Sequence, residues 1–138
     1  MLQVLLGFVK AIELAYKNID GYNSKLTMLR EYCIKQVGTK FPNVILNGDR
    51  VDRLPGNVNF SFKDVNGGDL LLELDEMGIC ASTGSACNSG SNLPSHVLTA
   101  IGLEPEYLQG SLRLTFGDEN TKEDIDFFVN ALNEILNK

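Results

Sequence analysis

The chain has 138 residues, of which 43% are hydrophobic and 22% are charged. This composition is that of a folded globular protein and excludes disordered and collagen-like classes, and the length suits one domain whose core needs neither disulfides nor metal. With 18 acidic and 12 basic residues, the net charge of -6 and the lack of a basic cluster exclude nucleic acid as a partner.

Apolar residues at alternating steps of three and four predict a long N-terminal helix. They are Leu5, Phe8, Ile12, Ala15, Ile19, Tyr22, Leu26, Leu29 and Cys33. Gly21 leaves a break between residues 18 and 21 open, and a coiled-coil seam is a second interpretation, although only about four heptads fit it. Because no residue caps this helix at its start, we expect the chain to be part of a larger protein. The apolar start lacks a basic leader and a cleavage site, so we expect neither a signal peptide nor a membrane span.

Short elements are predicted beyond the first helix, which Gly38 and Pro42 should end. In chain order they are a strand in 43–48, a strand in 57–62, a helix in 69–78, a brief strand in 79–82, a helix in 93–103, a strand in 110–117 and a helix from Thr121 onward. The last helix has the clearest signals, because Thr121 and Asp124 form a T-x-x-D cap. This order, with short connections, predicts an α+β fold with a small, largely antiparallel sheet.

Residues 81–90, ASTGSACNSG, place a cysteine among tiny polar residues and glycine. A structural cysteine is expected among apolar neighbours, whereas a reactive thiol needs an accessible position with backbone N–H groups nearby. The surroundings of Cys87 favour the reactive interpretation, while Cys33 and Cys80 are expected in the core. An odd number of cysteines without a paired framework favours a reducing, intracellular compartment, and the ligand spacing of a zinc site is missing.

Other residues leave alternatives open at this point. A phosphate-binding loop would use Gly84, Ser85, Ser89 and Gly90, although no Walker pattern is present. Arg113 falls on the polar face of its predicted strand, where it is either a surface arginine or a ligand for a carboxylate. His96 could act as a base for Cys87, but a capping or exposed histidine is the favoured interpretation. No role is assigned to it.

Three segments resemble a known enzyme family. GICASTGSACNSGSNLPSHVLTAIGL (78–103), GSLRLTFGDENTKEDIDFFVNAL (110–132) and FPNVILNGDRVDRLPGNVNFSF (41–62) are similar to the C-terminal part of the pyridoxal-phosphate-dependent cysteine desulfurases, in the class V aminotransferase superfamily. The motif S-x-x-S-A-C, which ends at Cys87, is typical of the subgroup with a long, mobile cysteine loop. The resemblance covers nearly the whole chain.

The resemblance implies a fold, a reaction and partners. The fold is that of the C-terminal domain of fold-type I pyridoxal-phosphate enzymes, with helices on one face of the sheet, residues 1–37 as the connector from a large domain and 82–93 as the cysteine loop. In this family L-cysteine becomes L-alanine while the loop thiol, here Cys87, takes the sulfur as a persulfide. Arg113 matches the arginine that binds the substrate carboxylate. The sulfur passes to an iron-sulfur scaffold or a tRNA-thiolation protein in the cytoplasm, and the full-length enzymes are homodimers.

The family's large domain, with its cofactor-binding lysine, has no counterpart in these residues. We therefore expect pyridoxal phosphate in the full-length enzyme, none bound by these 138 residues, and no desulfurase activity from them alone. Two alternatives remain. One is a non-catalytic module that only relays or docks sulfur, and the other is an aminotransferase-like enzyme in which Cys87 is incidental.

Overall fold

The computed structural model describes residues 2–83 and 95–138. Within these ranges the elements, in chain order, are α1 (Leu2–Lys17), α2 (Ile19–Lys40), β1 (Val44–Leu46), β2 (Asn57–Phe62), α3 (Gly67–Glu76), α4 (His96–Ala100), α5 (Pro105–Leu108), β3 (Ser111–Thr115) and α6 (Lys122–Leu136). The three strands form one antiparallel sheet in the order β1-β2-β3. The predicted α+β fold with a small antiparallel sheet is confirmed.

The predicted N-terminal helix consists of two helices that meet at Asn18. The backbone carbonyl of Asn18 accepts a 2.9 Å hydrogen bond from the Tyr22 amide, so Asn18 starts α2. A Cβ on Gly21 would lie 2.5 Å from Oδ1 of Asn18, so a larger residue at position 21 requires the Asn18 side chain to move. Helix α2 ends at Lys40, between Gly38 and Pro42, the two residues that were expected to end it. It ends there because Pro42 restricts the preceding residue to an extended backbone.

The hydrophobic core lies on one face of the sheet, under α2, α3 and α6. Alternation along the strands directs the apolar side chains of β2 and β3 to this face. The apolar side chains that are at most 2% exposed are Leu29, Cys33, Val37, Val58, Phe60, Phe62, Leu70, Leu74, Leu112, Ile125 and Leu132. The helices that contribute to the core therefore cover one face of the sheet, as expected, and the polar side chains of β2 and β3 lie on the other face.

A capping box starts α6, as the T-x-x-D pattern predicts. The Thr121 hydroxyl accepts a 3.3 Å hydrogen bond from the Asp124 amide, and the Asp124 carboxylate accepts a 3.0 Å bond from the Thr121 amide. Two helix N–H groups that would otherwise lack partners are satisfied in this way. The start of α6 is therefore fixed by local sequence, and its apolar stripe then packs into the core.

The segment after α3 differs from expectation. Residues 79–82 were predicted as a strand, but they make only a single bridge, between Ser82 and Arg113. Ile79 and Ala81 pack against the core, and the alternation of an extended chain turns Cys80 outward. The expectation that Cys80 lies in the core is wrong for this reason. None of the described helices is both long and apolar enough to cross a membrane.

Candidate functional site

Four polar residues form one row across the polar face of the sheet. Asn59 in β2 is paired with Arg113 in β3, and Arg113 forms a bridge with Ser82 on its other side. Asn47 extends the row beyond β1, because its amide donates a 2.8 Å hydrogen bond to the Asn59 carbonyl. Residues paired across antiparallel strands direct their side chains to the same face. The order across the sheet is thus Asn47, Asn59, Arg113 and Ser82.

The backbone hydrogen bonds between Arg113 and Ser82 determine how close Arg113 lies to Asn59, its partner on the other side. The Arg113 amide donates to the Ser82 carbonyl at 2.7 Å, and the Ser82 amide donates to the Arg113 carbonyl at 3.1 Å. Because both backbone groups of Arg113 are used on the Ser82 side, its pairing with Asn59 is of the non-hydrogen-bonded type. In such pairs the Cα atoms are only about 4.5 Å apart, and the side chains are close neighbours.

The Asn47 side chain anchors the row at its buried end. Its Nδ2 donates to Oδ1 of Asn59 at 2.7 Å and to Oγ of Ser61 at 2.8 Å. Asn47 is only 8% exposed, and Ser61 is fully buried. The guanidinium of Arg53 also holds the Asn47 carbonyl, at 2.6 Å. Oδ1 of Asn47 is buried without a hydrogen-bond partner among the described residues. The Asn59 side chain is therefore hydrogen-bonded to Asn47 on the β1 side.

Arg113 differs from the other three arginines in its partners. Arg30 and Arg50 pair with Glu31, and Arg53 donates to backbone carbonyls. Arg113 takes part in none of the ion pairs formed by described residues. Its side chain is half-buried on the polar face of β3. Among the residues that the structure describes, it has a guanidinium left for an anionic ligand.

The two described cysteines differ in burial. Cys33 is fully buried in α2, and this burial raises the pKa of its thiol to about 12. Cys80 is exposed. Cys87, the predicted nucleophile, lies outside the described residues, as do the four residues of the alternative phosphate loop. Cys87 follows Ser82 by five residues, so the covalent chain keeps the two Cα atoms within about 18 Å of each other.

His96 is the first residue of α4 and is exposed. No hydrogen bond of its side chain to a described residue is present, and the structure gives no evidence for a role as a base. Asn47 and Asn59 are site residues that the sequence analysis did not single out. The alternation in NVNFSF placed Asn59 on the polar face, but only the strand register shows that it lies beside Arg113.

Pyridoxal phosphate needs a lysine for its aldehyde and donors for its phosphate, and two features of the described residues do not suit it. Carboxylate partners raise the pKa of Lys63 and of Lys138, which is opposite to what a Schiff-base lysine requires. A surface pocket of about 500 Å³ beside α5 is lined by the carboxylates of Asp64 and Glu106 and by no lysine. Neither the raised pKa values of these lysines nor the acidic lining of this pocket suits an anionic aldehyde.

Comparison with known proteins gives consistent matches. The family model of class-V aminotransferases matches residues 2–128. A cysteine desulfurase IscS of Clostridium botulinum is 51% identical over 96% of this chain and 34% of its own length. One of Dictyoglomus turgidum is 47% identical over 97% of this chain and 34% of its own length. A NifS-like protein of Rickettsia africae has a TM-score of 0.77 at 30% identity, covering 91% of this chain and 32% of that structure. The chain spans about a third of the length of these relatives.

Proposed function

Because the chain belongs to the class-V aminotransferase family, we propose that it is the C-terminal part of a cysteine desulfurase. The enzyme would convert L-cysteine to L-alanine and carry the sulfur as a persulfide on Cys87. One observation carries the proposal in the structure. The bridge between Ser82 and Arg113 puts the start of the cysteine segment directly beside an arginine that has no ion-pair partner among the described residues.

Arg113 is proposed to bind the α-carboxylate of the substrate. Its planar guanidinium can donate two parallel hydrogen bonds to a carboxylate, which fixes both position and orientation. The strand holds its backbone through the bonds to Ser82, so the side chain starts from a rigid element. A substrate held there would lie within the covalent reach of Cys87.

Cys87 is proposed as the sulfur acceptor. Its thiolate forms a bond to the sulfur of L-cysteine while the Cβ–S bond of the substrate breaks. The electron pair of that bond stays on carbon, which takes up a proton to give alanine. One thiol and L-cysteine thus become one persulfide and L-alanine, with no further oxidant or reductant. Since the described residues do not fit the cofactor, pyridoxal phosphate would be held by another part of the enzyme.

The exposed surface of α1 supports the proposal that these residues belong to a longer polypeptide. No residue of α1 is buried, and its large apolar side chains are between 43% and 75% exposed. These side chains are Leu2, Val4, Leu5, Leu6, Phe8, Val9, Ile12, Leu14 and Tyr16. An apolar surface of this kind marks an interface. We propose that residues 1–37 connect the domain to the large domain and pack on it.

The proposal extends to partners and location. A persulfide can be transferred to a second thiol by exchange, so the acceptor would be an iron-sulfur scaffold or a tRNA-thiolation protein. The full-length enzyme would be a homodimer in the cytoplasm, where thiols stay reduced.

Extension of the reading frame and an activity assay test this function. The coding sequence upstream of Met1 should continue into a domain with a cofactor-binding lysine. That longer polypeptide, supplied with pyridoxal phosphate, L-cysteine and a thiol reductant, should release L-alanine, and Cys87→Ala should abolish the release. A start codon at Met1 would instead support the sulfur-relay module, and alanine release that survives Cys87→Ala would support an enzyme in which Cys87 is incidental.

A further inference from the structure

We propose that Asn59 is a second carboxylate-binding residue that acts together with Arg113. This inference deepens the proposed function, because it names another residue for the substrate carboxylate. Asn59 and Arg113 are a non-hydrogen-bonded pair in adjacent strands, so their side chains emerge side by side on the polar face. Both side chains are half-buried, which leaves each of them partly accessible to a ligand.

The hydrogen bond from Asn47 fixes which end of the Asn59 amide is available. Nδ2 of Asn47 donates to Oδ1 of Asn59 at 2.7 Å, so the oxygen is engaged on the β1 side. The amide is planar, and its Nδ2 is therefore turned away from Asn47. No described residue accepts a hydrogen bond from it. An amide NH2 offers two donors, and a carboxylate has two oxygens that accept several hydrogen bonds.

The Asn47 amide supplies the donors of this buried network. Its Nδ2 already donates to both Asn59 and Ser61, and Ser61 is fully buried. Rotating the Asn59 amide alone would place its Nδ2 against the Nδ2 of Asn47 and break the hydrogen bond between them. Asn47 is thus a positioning residue that keeps the Asn59 donor directed to the outer part of the face. The pair Asn59 and Arg113 then supplies a neutral and a charged donor to one carboxylate.

Aspartate at position 59 is the sharpest variant. Asn59→Asp keeps an oxygen for the Nδ2 of Asn47, so the buried network is preserved, but it removes the donor toward the ligand. Asn57→Asp is the matched control, because Asn57 is on the same face of β2 but is paired with Thr115 instead of Arg113. It introduces the same charge at a diagonal position about 7–8 Å from the arginine. Arg113→Ala removes the charged donor.

The 138-residue chain is titrated with acetate and with L-alanine while its ¹H–¹⁵N spectrum is recorded. Concentrations up to about 200 mM cover millimolar dissociation constants. We expect the side-chain amide signal of Asn59 and the Nε–H signal of Arg113 to shift on one saturable curve. Asn59→Asp should weaken binding about tenfold or more, as expected for losing one hydrogen bond to a charged group. Asn57→Asp should change it by no more than about threefold.

Each outcome decides the inference. Loss of binding in both Arg113→Ala and Asn59→Asp, with Asn57→Asp near wild type and a saturable shift of the Asn59 side-chain amide in the wild type, supports the pair. If Asn59→Asp loses binding but the wild-type Asn59 amide does not shift, the new carboxylate has only paired with the Arg113 guanidinium and Asn59 is not a ligand. If only Arg113→Ala loses binding, or if the two aspartate variants are equally weakened, Asn59 is not a ligand and the arginine assignment stands. If neither the Asn59 nor the Arg113 signal responds to carboxylate, both assignments fail. The proposed role of Cys87 is tested separately, by detection of a persulfide on its thiol. Backbone spectra of each variant verify that the fold is intact.

Discussion

The reactivities of the three thiols should differ in a fixed order that follows from their positions. Burial raises the pKa of Cys33 to about 12, compared with an ordinary value of 9.0. At a pH of about 8, the thiolate fraction of Cys33 is then about 10⁻⁴, whereas that of an ordinary thiol is about 0.1. Because the thiolate is the nucleophile, alkylation of Cys33 should be slower by about a thousandfold from ionisation alone. Its complete burial slows the reaction further.

Iodoacetamide labelling followed by peptide mass spectrometry measures this order. Cys80 is exposed, so it serves as the internal reference for an accessible thiol. We expect Cys87 in the Cys80→Ala variant to react faster than Cys80 in the Cys87→Ala variant, and both to react far faster than Cys33. The reasoning about a reactive thiol is refuted if Cys87 reacts more slowly than Cys80. Fast labelling of Cys33 in the folded chain would refute the placement of that thiol in the core.

Three substitutions test the fold on which the site is built. Thr121→Ala removes one side of the capping box and should lower the free energy of unfolding by about 1 kcal/mol, measured in urea. Leu132→Ala empties a fully buried position in α6 and should cost about 2–5 kcal/mol in the same assay. The hydrogen bond from Arg50, together with Arg30, lowers the pKa of Glu31 below its usual value of 4.5. The ion pairs of ionised Glu31 therefore stabilise the fold above pH 4.5, and this stabilisation is lost as the pH falls through the lowered pKa. Glu31→Gln should accordingly flatten the loss of stability in acid.

Matched controls accompany these substitutions. Thr115→Ala and Leu72→Ala change the same residue types at exposed positions and should stay within about 0.5 kcal/mol of wild type. Glu104 is exposed and forms no ion pair with a described residue, so Glu104→Gln should leave the acid transition unchanged. A Leu132→Ala variant as stable as its Leu72 control would contradict the assignment of the core. An acid transition that is the same in both glutamate variants would contradict the role of Glu31.

Elements with a local signal could be predicted from the sequence. The start of α6 follows from Thr121 and Asp124, which satisfy each other's backbone amides regardless of the rest of the fold. The alternation of Leu112 and Leu114 with polar residues likewise predicts β3 and puts Arg113 on its polar face. These features need only residues that are close in sequence, and the predictions of β3 and of the α6 cap are confirmed for that reason.

Features that depend on register could not be derived in this way. The row from Asn47 to Ser82 joins residues from four separate segments, and a shift of one residue in either strand pairing would turn Asn59 to the core. The outward position of Cys80 has a similar origin, because the core takes up Ile79 and Ala81 on either side of it. The proposed role of Arg113 therefore rests on the family resemblance, and the strand register adds that Asn59 and Ser82 lie beside it.

Detection of a persulfide on Cys87 tests the central claim most directly. The longer polypeptide that carries these residues is incubated with pyridoxal phosphate and L-cysteine, alkylated and digested, and the Cys87 peptide is weighed. In the Cys80→Ala background we expect one additional sulfur atom on Cys87, and its loss in Arg113→Ala, because the substrate carboxylate then lacks its charged partner. An unmodified Cys87 together with release of L-alanine would contradict the account.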